Sequence, residues 1–179
     1  MDITIRDRRN FVLMEIETPL RGAELSDANL PMASLTGADM AEIDLTNSNL
    51  FQADLRAANL YSADLSGADL SGADLTRADL ITADLSRADL TEADLTDIHG
   101  SFASFVAANL CNAKLAGANL AEANLSGANL RGADLRRAIL TEANLKGADL
   151  SNADLGGADF GGADVQDCTG LPFNVPNPR

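Results

Sequence analysis

Between Leu20 and Val165 an acidic or amide residue stands just ahead of almost every fifth residue, as at Asn29, Asp54, Asp74 and Asn124. Carboxylates in such numbers could hold Ca²⁺, serve as an acid–base pair, or present charge. Calcium needs several oxygen ligands gathered at one point, and the nonapeptide Gly–Asp signature of calcium-binding β-rolls is absent. A catalytic pair needs two carboxyls tuned apart by different surroundings, whereas these recur at one structural position. His99 is the only histidine and has neither a cysteine nor a second histidine near it, so it gives no metal-site spacing. Cys111 lacks a neighbouring His or basic cluster that would activate a thiol, and Cys168 is far from it in sequence. The glycines follow the same fivefold count and form no phosphate loop ahead of a helix. The residues able to do chemistry are thus spread by a rule. The reading is a protein without catalytic residues, metal or cofactor.

That rule belongs to the elements that place them. At positions divisible by five the chain reads Leu, except Met40, Gly100, Phe105, Phe160 and Val165; two residues earlier it reads Ala, except Thr18, Ile43, Ser48 and Ile98. The unit is A(D/N)LXX. A period of five fits neither a helix of 3.6 residues per turn nor a flat strand of period two. It fits a chain that turns a corner once per unit. Ala and Leu then point inward, the other residues face out or make the corner, and successive coils stack at about 4.8 Å. Asp, Asn, Ser and Gly suit such corners.

The run ADLSGADLSGADL from Ala63 to Leu75 resembles the pentapeptide-repeat family, and the resemblance covers Thr18 to about Asp167. It implies an all-β fold, a right-handed quadrilateral β-helix with four pentapeptides per coil and about seven to eight coils. Residues 1–17 and 168–179 are expected to cap the ends of the 18–167 solenoid. Phe11, Val12, Leu13 and Met14 lend the first an apolar run, and Pro172, Pro176 and Pro178 in the second discourage further strand pairing. One irregularity falls at residues 98–102, where Ile98 takes an Ala slot and Gly100 a Leu slot. The fivefold count survives, so the expectation is a degenerate pentapeptide with Ile98 or Phe105 filling the space beside Gly100. A five-residue loop would instead shift every later residue by one side.

With four sides, residues twenty apart stack, and the sides can be lettered A to D from Leu20 onward. Side A carries Asp39, Glu42, Asp79, Glu122, Glu142 and Asp159 against Arg21 alone, while Arg56, Arg77, Lys114, Arg136 and Arg137 nearly balance the acids of side D. Side A also bears Tyr61, Ile81 and Phe102, a candidate protein-interaction stripe; scattered surface apolars, or a seat for a terminal segment, is the plainer explanation.

The net charge of −14 argues against direct binding to nucleic acid or an anionic membrane. No run of 18 apolar residues occurs and the start reads as no signal sequence. Together with two separated cysteines, this leads to the expectation of a cytoplasmic protein. The near-consensus repeats look like those of bacterial, especially cyanobacterial, family members. The expected function is a non-enzymatic scaffold for an unidentified protein partner, as a monomer or an end-to-end or side-by-side dimer. The alternative drawn from the family is a DNA mimic that binds DNA gyrase and protects against quinolones. The regular, loop-free repeat and the proline-rich tail count against it.

Overall fold

The computed structural model describes residues 3–16 and 19–171. From Glu24 to Thr169 each Asp/Asn-slot residue pairs in parallel with the residue twenty further on, as in Asp44, Asp64 and Asp84. A coil is therefore twenty residues and four sides. Each side contributes a single bridge residue, so the walls are stacks of one-residue pairings rather than long strands.

Every backbone N–H of a regular pentapeptide finds an acceptor, and this explains the repeat. Around Tyr61, the Leu60 amide donates to the Asp79 carbonyl (2.8 Å) and the Ser62 amide to the Ile81 carbonyl (3.0 Å), both on the next coil. The Asp64 amide donates back to Ile43 (2.9 Å), and Ala63 closes the corner on the Leu60 carbonyl (3.0 Å). The fifth amide, Tyr61 itself, donates to the side chain of Asn59 (3.2 Å). The same bond recurs from Ser66 to Asp64, Ser86 to Asp84 and Ser151 to Asp149. The Asp/Asn residue thus lies on the flat of each side, and its oxygen satisfies the amide two residues on.

The corners are type II turns: a bond from the fourth residue to the first, with positive φ only at the third. Thus φ is 68° at Gly67, 53° at Gln52, 58° at Thr82 and 62° at Phe102. Glycine is suited to this slot because an L side chain there is strained.

The interior is a column of mostly Ala and Leu, exposed by no more than a few per cent from Leu30 to Leu150 apart from the partly buried Ala38. The irregular unit stays in register. His99 pairs with Asp79 and Asn119, and the Phe102 amide reaches the Ala121 carbonyl (3.1 Å). A Cβ on Gly100 would lie 3.1 Å from Leu120 Cδ2 and 3.3 Å from Ile98 Cδ1, so Ile98 occupies the space a leucine would fill. Residues 98–102 form a degenerate pentapeptide, not a loop.

At the N-terminal end β1 (Ile3–Arg6) and β2 (Val12–Ile16) make an antiparallel hairpin with a bulge at Ile5/Arg6. Its turn is held by Asp7, whose side chain accepts the Arg9 (2.9 Å) and Phe11 (2.8 Å) amides. Ile5 is buried, Leu13 and Met14 pack on the core, and the Ser34 amide donates to the Arg6 carbonyl (2.8 Å). The hairpin thereby pairs with an edge of the coil that begins at Leu20. At the other end Leu155, Phe160 and Val165 are only partly buried, and their amides find no backbone acceptor among the described residues. The expected cap at 168–179 lies largely outside the described residues.

Candidate functional site

The Asp/Asn residues are occupied with the backbone, and they also link coils. Asn49 donates to Asn29 (2.8 Å), Asn59 to Asp39 (2.9 Å), and Asn129 to Asn109 (2.9 Å), which in turn donates to Asp89 (3.2 Å). On side D three of the five bases fold back on their own ladder. Arg56 binds Asp54 with both arms of its guanidinium (2.8 and 2.7 Å), Lys114 meets Asp94 (3.1 Å), and Arg136 grips Asp134 (2.8 and 2.6 Å). The Arg56 hydrogen bonds pull the Asp54 carboxyl from 3.8 down to about 2. Hydrogen bonds from Arg136 likewise lower Asp134. These carboxylates are held ionised, the opposite of what a proton donor needs.

Among the described residues no group of three or more His, Cys, Asp or Glu side chains could hold a metal ion. Cys168 donates its thiol to the Leu145 carbonyl (2.8 Å), and burial raises its pKa, which disfavours a reactive thiolate. Cys111 sits on side C. His99 is exposed in an Asp/Asn slot of side A. The clefts are shallow furrows beside corner glycines, such as Gly117 near Arg136 and Arg137, and Gly67 near Arg87.

Side A differs from the rest. Glu42 donates its amide to Tyr61, Ser62 to Ile81 and Thr82 to Ser101, so Tyr61 and Ile81 share one corner row and Phe102 stands beside it, one coil on. Tyr61 is 43% and Phe102 56% exposed, and Ile81 is half-buried. The same side carries Ile139, 41% exposed, which the sequence reading passed over. Its signal was present: Ile139 is the only large aliphatic side chain in the whole Asp/Asn column.

The acids of side A fall into two groups. Asp39 and Glu42 are partnered by Arg21 (3.6 and 2.8 Å). Asp79, Glu122, Glu142 and Asp159 have no cation within 4 Å among the described residues. Side B is as acidic as side A, with seven acids against Arg87 and Lys146, so the negative charge covers two adjacent sides rather than one.

A four-sided coil of twenty residues with Ala and Leu inside defines the class, and sequence comparison agrees. The profile described as Pentapeptide repeats matches in 8 copies over residues 19–56, 58–97, 103–141 and 128–167. The chain belongs to the pentapeptide-repeat family of right-handed β-helices. Among solved structures it is similar to HetL, a pentapeptide repeat protein involved in heterocyst differentiation regulation in the cyanobacterium Nostoc sp. strain PCC 7120. The identity is 38%, the match covers 84% of this chain and 75% of HetL, and the TM-score is 0.55. It is also similar in fold to full-length QnrB1, a plasmid-mediated fluoroquinolone resistance protein, at 19% identity over 97% of this chain and 84% of that one, with a TM-score of 0.78. Comparison with curated proteins returned no match.

Proposed function

We propose that this protein is a non-enzymatic scaffold that binds a protein partner through side A. The observation that carries the reading is the row of exposed Tyr61 and half-buried Ile81 with exposed Phe102 beside it, on a rod whose other outward positions are mostly polar, Phe51 on side C and Ile139 on side A apart. Aromatic side chains on a rigid surface are the usual anchors of protein contacts. A solenoid suits the role because its register keeps such residues at fixed spacing. The test compares affinity capture from the source cell by the wild type and by a Tyr61→Ser/Ile81→Ser variant of equal melting temperature. Proteins recovered only by the wild type support the reading; identical recoveries refute it.

The likeness to QnrB1 is one of fold. Duplex DNA carries one negative charge per about 1.7 Å of axis. Here a net charge of −14 is spread along a rod of roughly 36 Å, or about one per 2.6 Å. That charge is also concentrated on sides A and B, with side D nearly neutral. Protection of gyrase supercoiling from ciprofloxacin by sub-micromolar protein would overturn the present reading in favour of DNA mimicry.

A further inference from the structure

Two of the exposed apolar residues on side A occupy slots that the fold itself would fill otherwise. Phe102 takes a corner position with φ at 62°, in a column that otherwise holds Gly, Ala or polar residues apart from Met32. Ile139 takes the slot whose Asp or Asn oxygen would accept the amide two residues on; the Thr141 amide accordingly has no side-chain acceptor, unlike Tyr61, Ile81 or Gly161. Neither gains burial in exchange, at 56% and 41% exposed. Residues that break a repeat's local rules without a packing return mark selection for something other than stability.

Their setting is polar along the rod. In the corner column of Phe102 the next two coils bear Glu122 and Glu142, both exposed and without a cation within 4 Å among the described residues. At the opposite end, beyond Tyr61, the acids Asp39 and Glu42 are already taken by Arg21. Apolar contacts are therefore concentrated over the coils of Tyr61 to Phe102, and most of the free negative charge over the coils that follow. We propose that the occupant of side A is a protein segment in which apolar side chains are followed by a cluster of Lys and Arg. The segment lies along the rod with its basic part over Glu122 and Glu142, and Ile139 meets its stem. This rests on side A being the contact surface and adds the chemistry of the partner. From Tyr61 to Glu142 is four coils, roughly 19 Å, the span of about six extended residues.

The experiment is panning of a random 12-residue displayed peptide library on the full chain at about 0.15 M salt, followed by titration of the selected peptides. The proposal expects sequences that combine two or more apolar residues with a Lys/Arg cluster to one side. Their binding should weaken about tenfold in Phe102→Gly and in Ile139→Asn, although both variants melt no lower than the wild type. Glu122→Gln/Glu142→Gln should weaken binding several-fold and flatten its salt dependence. Peptides lost on Phe102→Gly but lacking basic residues and indifferent to Glu122→Gln/Glu142→Gln would overturn the basic partner while leaving side A as the contact surface. Peptides indifferent to all the variants would overturn both readings. Failure to enrich any peptide, or a lower melting temperature in both Phe102→Gly and Ile139→Asn, would overturn the proposal.

Discussion

Ser48 stands in an alanine slot, is buried, and its hydroxyl has no hydrogen-bond partner. A buried hydroxyl without a partner carries a desolvation penalty of about 1–3 kcal/mol. Ser48→Ala restores the repeat and should raise stability by about 1 kcal/mol. For a chain of this size that is a gain of about 2–4 °C in thermal melting; an unchanged or lower melting temperature would mean that the hydroxyl is satisfied. Asp54 makes the opposite case, a polar group almost out of solvent yet well partnered. Its carboxyl ionises at about 2 in the fold, against an ordinary 3.8, chiefly through Arg56. A lowered folded value means that the ionised form stabilises the fold above about pH 4, and that this contribution is lost as pH falls through 2. Melting curves of the wild type and Asp54→Asn should therefore be well separated at pH 7 and converge near pH 2; a gap of constant size would show that the charge is not what matters. At this scale the sequence disclosed the inward Ala and Leu, because burial repeats every five residues. It did not disclose what Asp and Asn do. A preference for corners and a bond to the amide two residues on leave the same trace in one chain.

The element is the pentapeptide, and its tolerance is best seen at residues 98–102. Ile98 is fully buried and its Cδ1 reaches into the space above Gly100. The two substitutions away from consensus thus compensate. Ile98→Ala alone opens a cavity and should cost about 2–5 kcal/mol. Gly100→Leu alone drives new atoms into Ile98 and Leu120 and should cost about 1–3 kcal/mol. Made together they rebuild a regular unit, so the double variant should be more stable than the sum of the singles by about 1 kcal/mol or more. Denaturant unfolding of all four proteins measures this directly, and additivity would refute the compensation. The register through this unit was legible because the count of five is unbroken across it. The hairpin of β1 and β2 was legible only as an apolar run: Leu13 and Met14 do pack on the core, but Phe11 and Val12 are exposed. Its pairing onto Ser34 depends on contacts distant in sequence, which no local period encodes.

Across the whole molecule, coils touch only their neighbours, so a charge on one coil acts mainly on the coils above and below. The acidity of side A and the balance of side D are legible in the sequence as columns twenty residues apart, and side B is as acidic as side A. There Asp44, Asp64 and Asp84 are stacked on successive coils, and Asp64 has no cation within 4 Å among the described residues. Carboxylates at about 5 Å repel by about 1 kcal/mol even in water. The other ladders show how the fold relieves such a stack: Asn59 donates to Asp39 and Asn109 to Asp89. Asp64→Asn should create the same rung onto Asp44 and remove both repulsions, while its oxygen still accepts the Ser66 amide now held by Asp64 at 2.9 Å. The expected result is a melting temperature higher by about 2–4 °C at low salt, if the net gain is about 1 kcal/mol. Salt separates the two causes. Near 1 M the Debye length falls to about 3 Å, so the wild type should itself melt higher there and the repulsive part of the gain should vanish. Only the part contributed by the new hydrogen bond should remain. A gain that does not change with salt would assign the whole effect to the hydrogen bond. No gain at low salt would show that the stacked carboxylates of side B are already relieved, by bound counterions or by side-chain motion, and that the charge of the rod is not a cost to its folding.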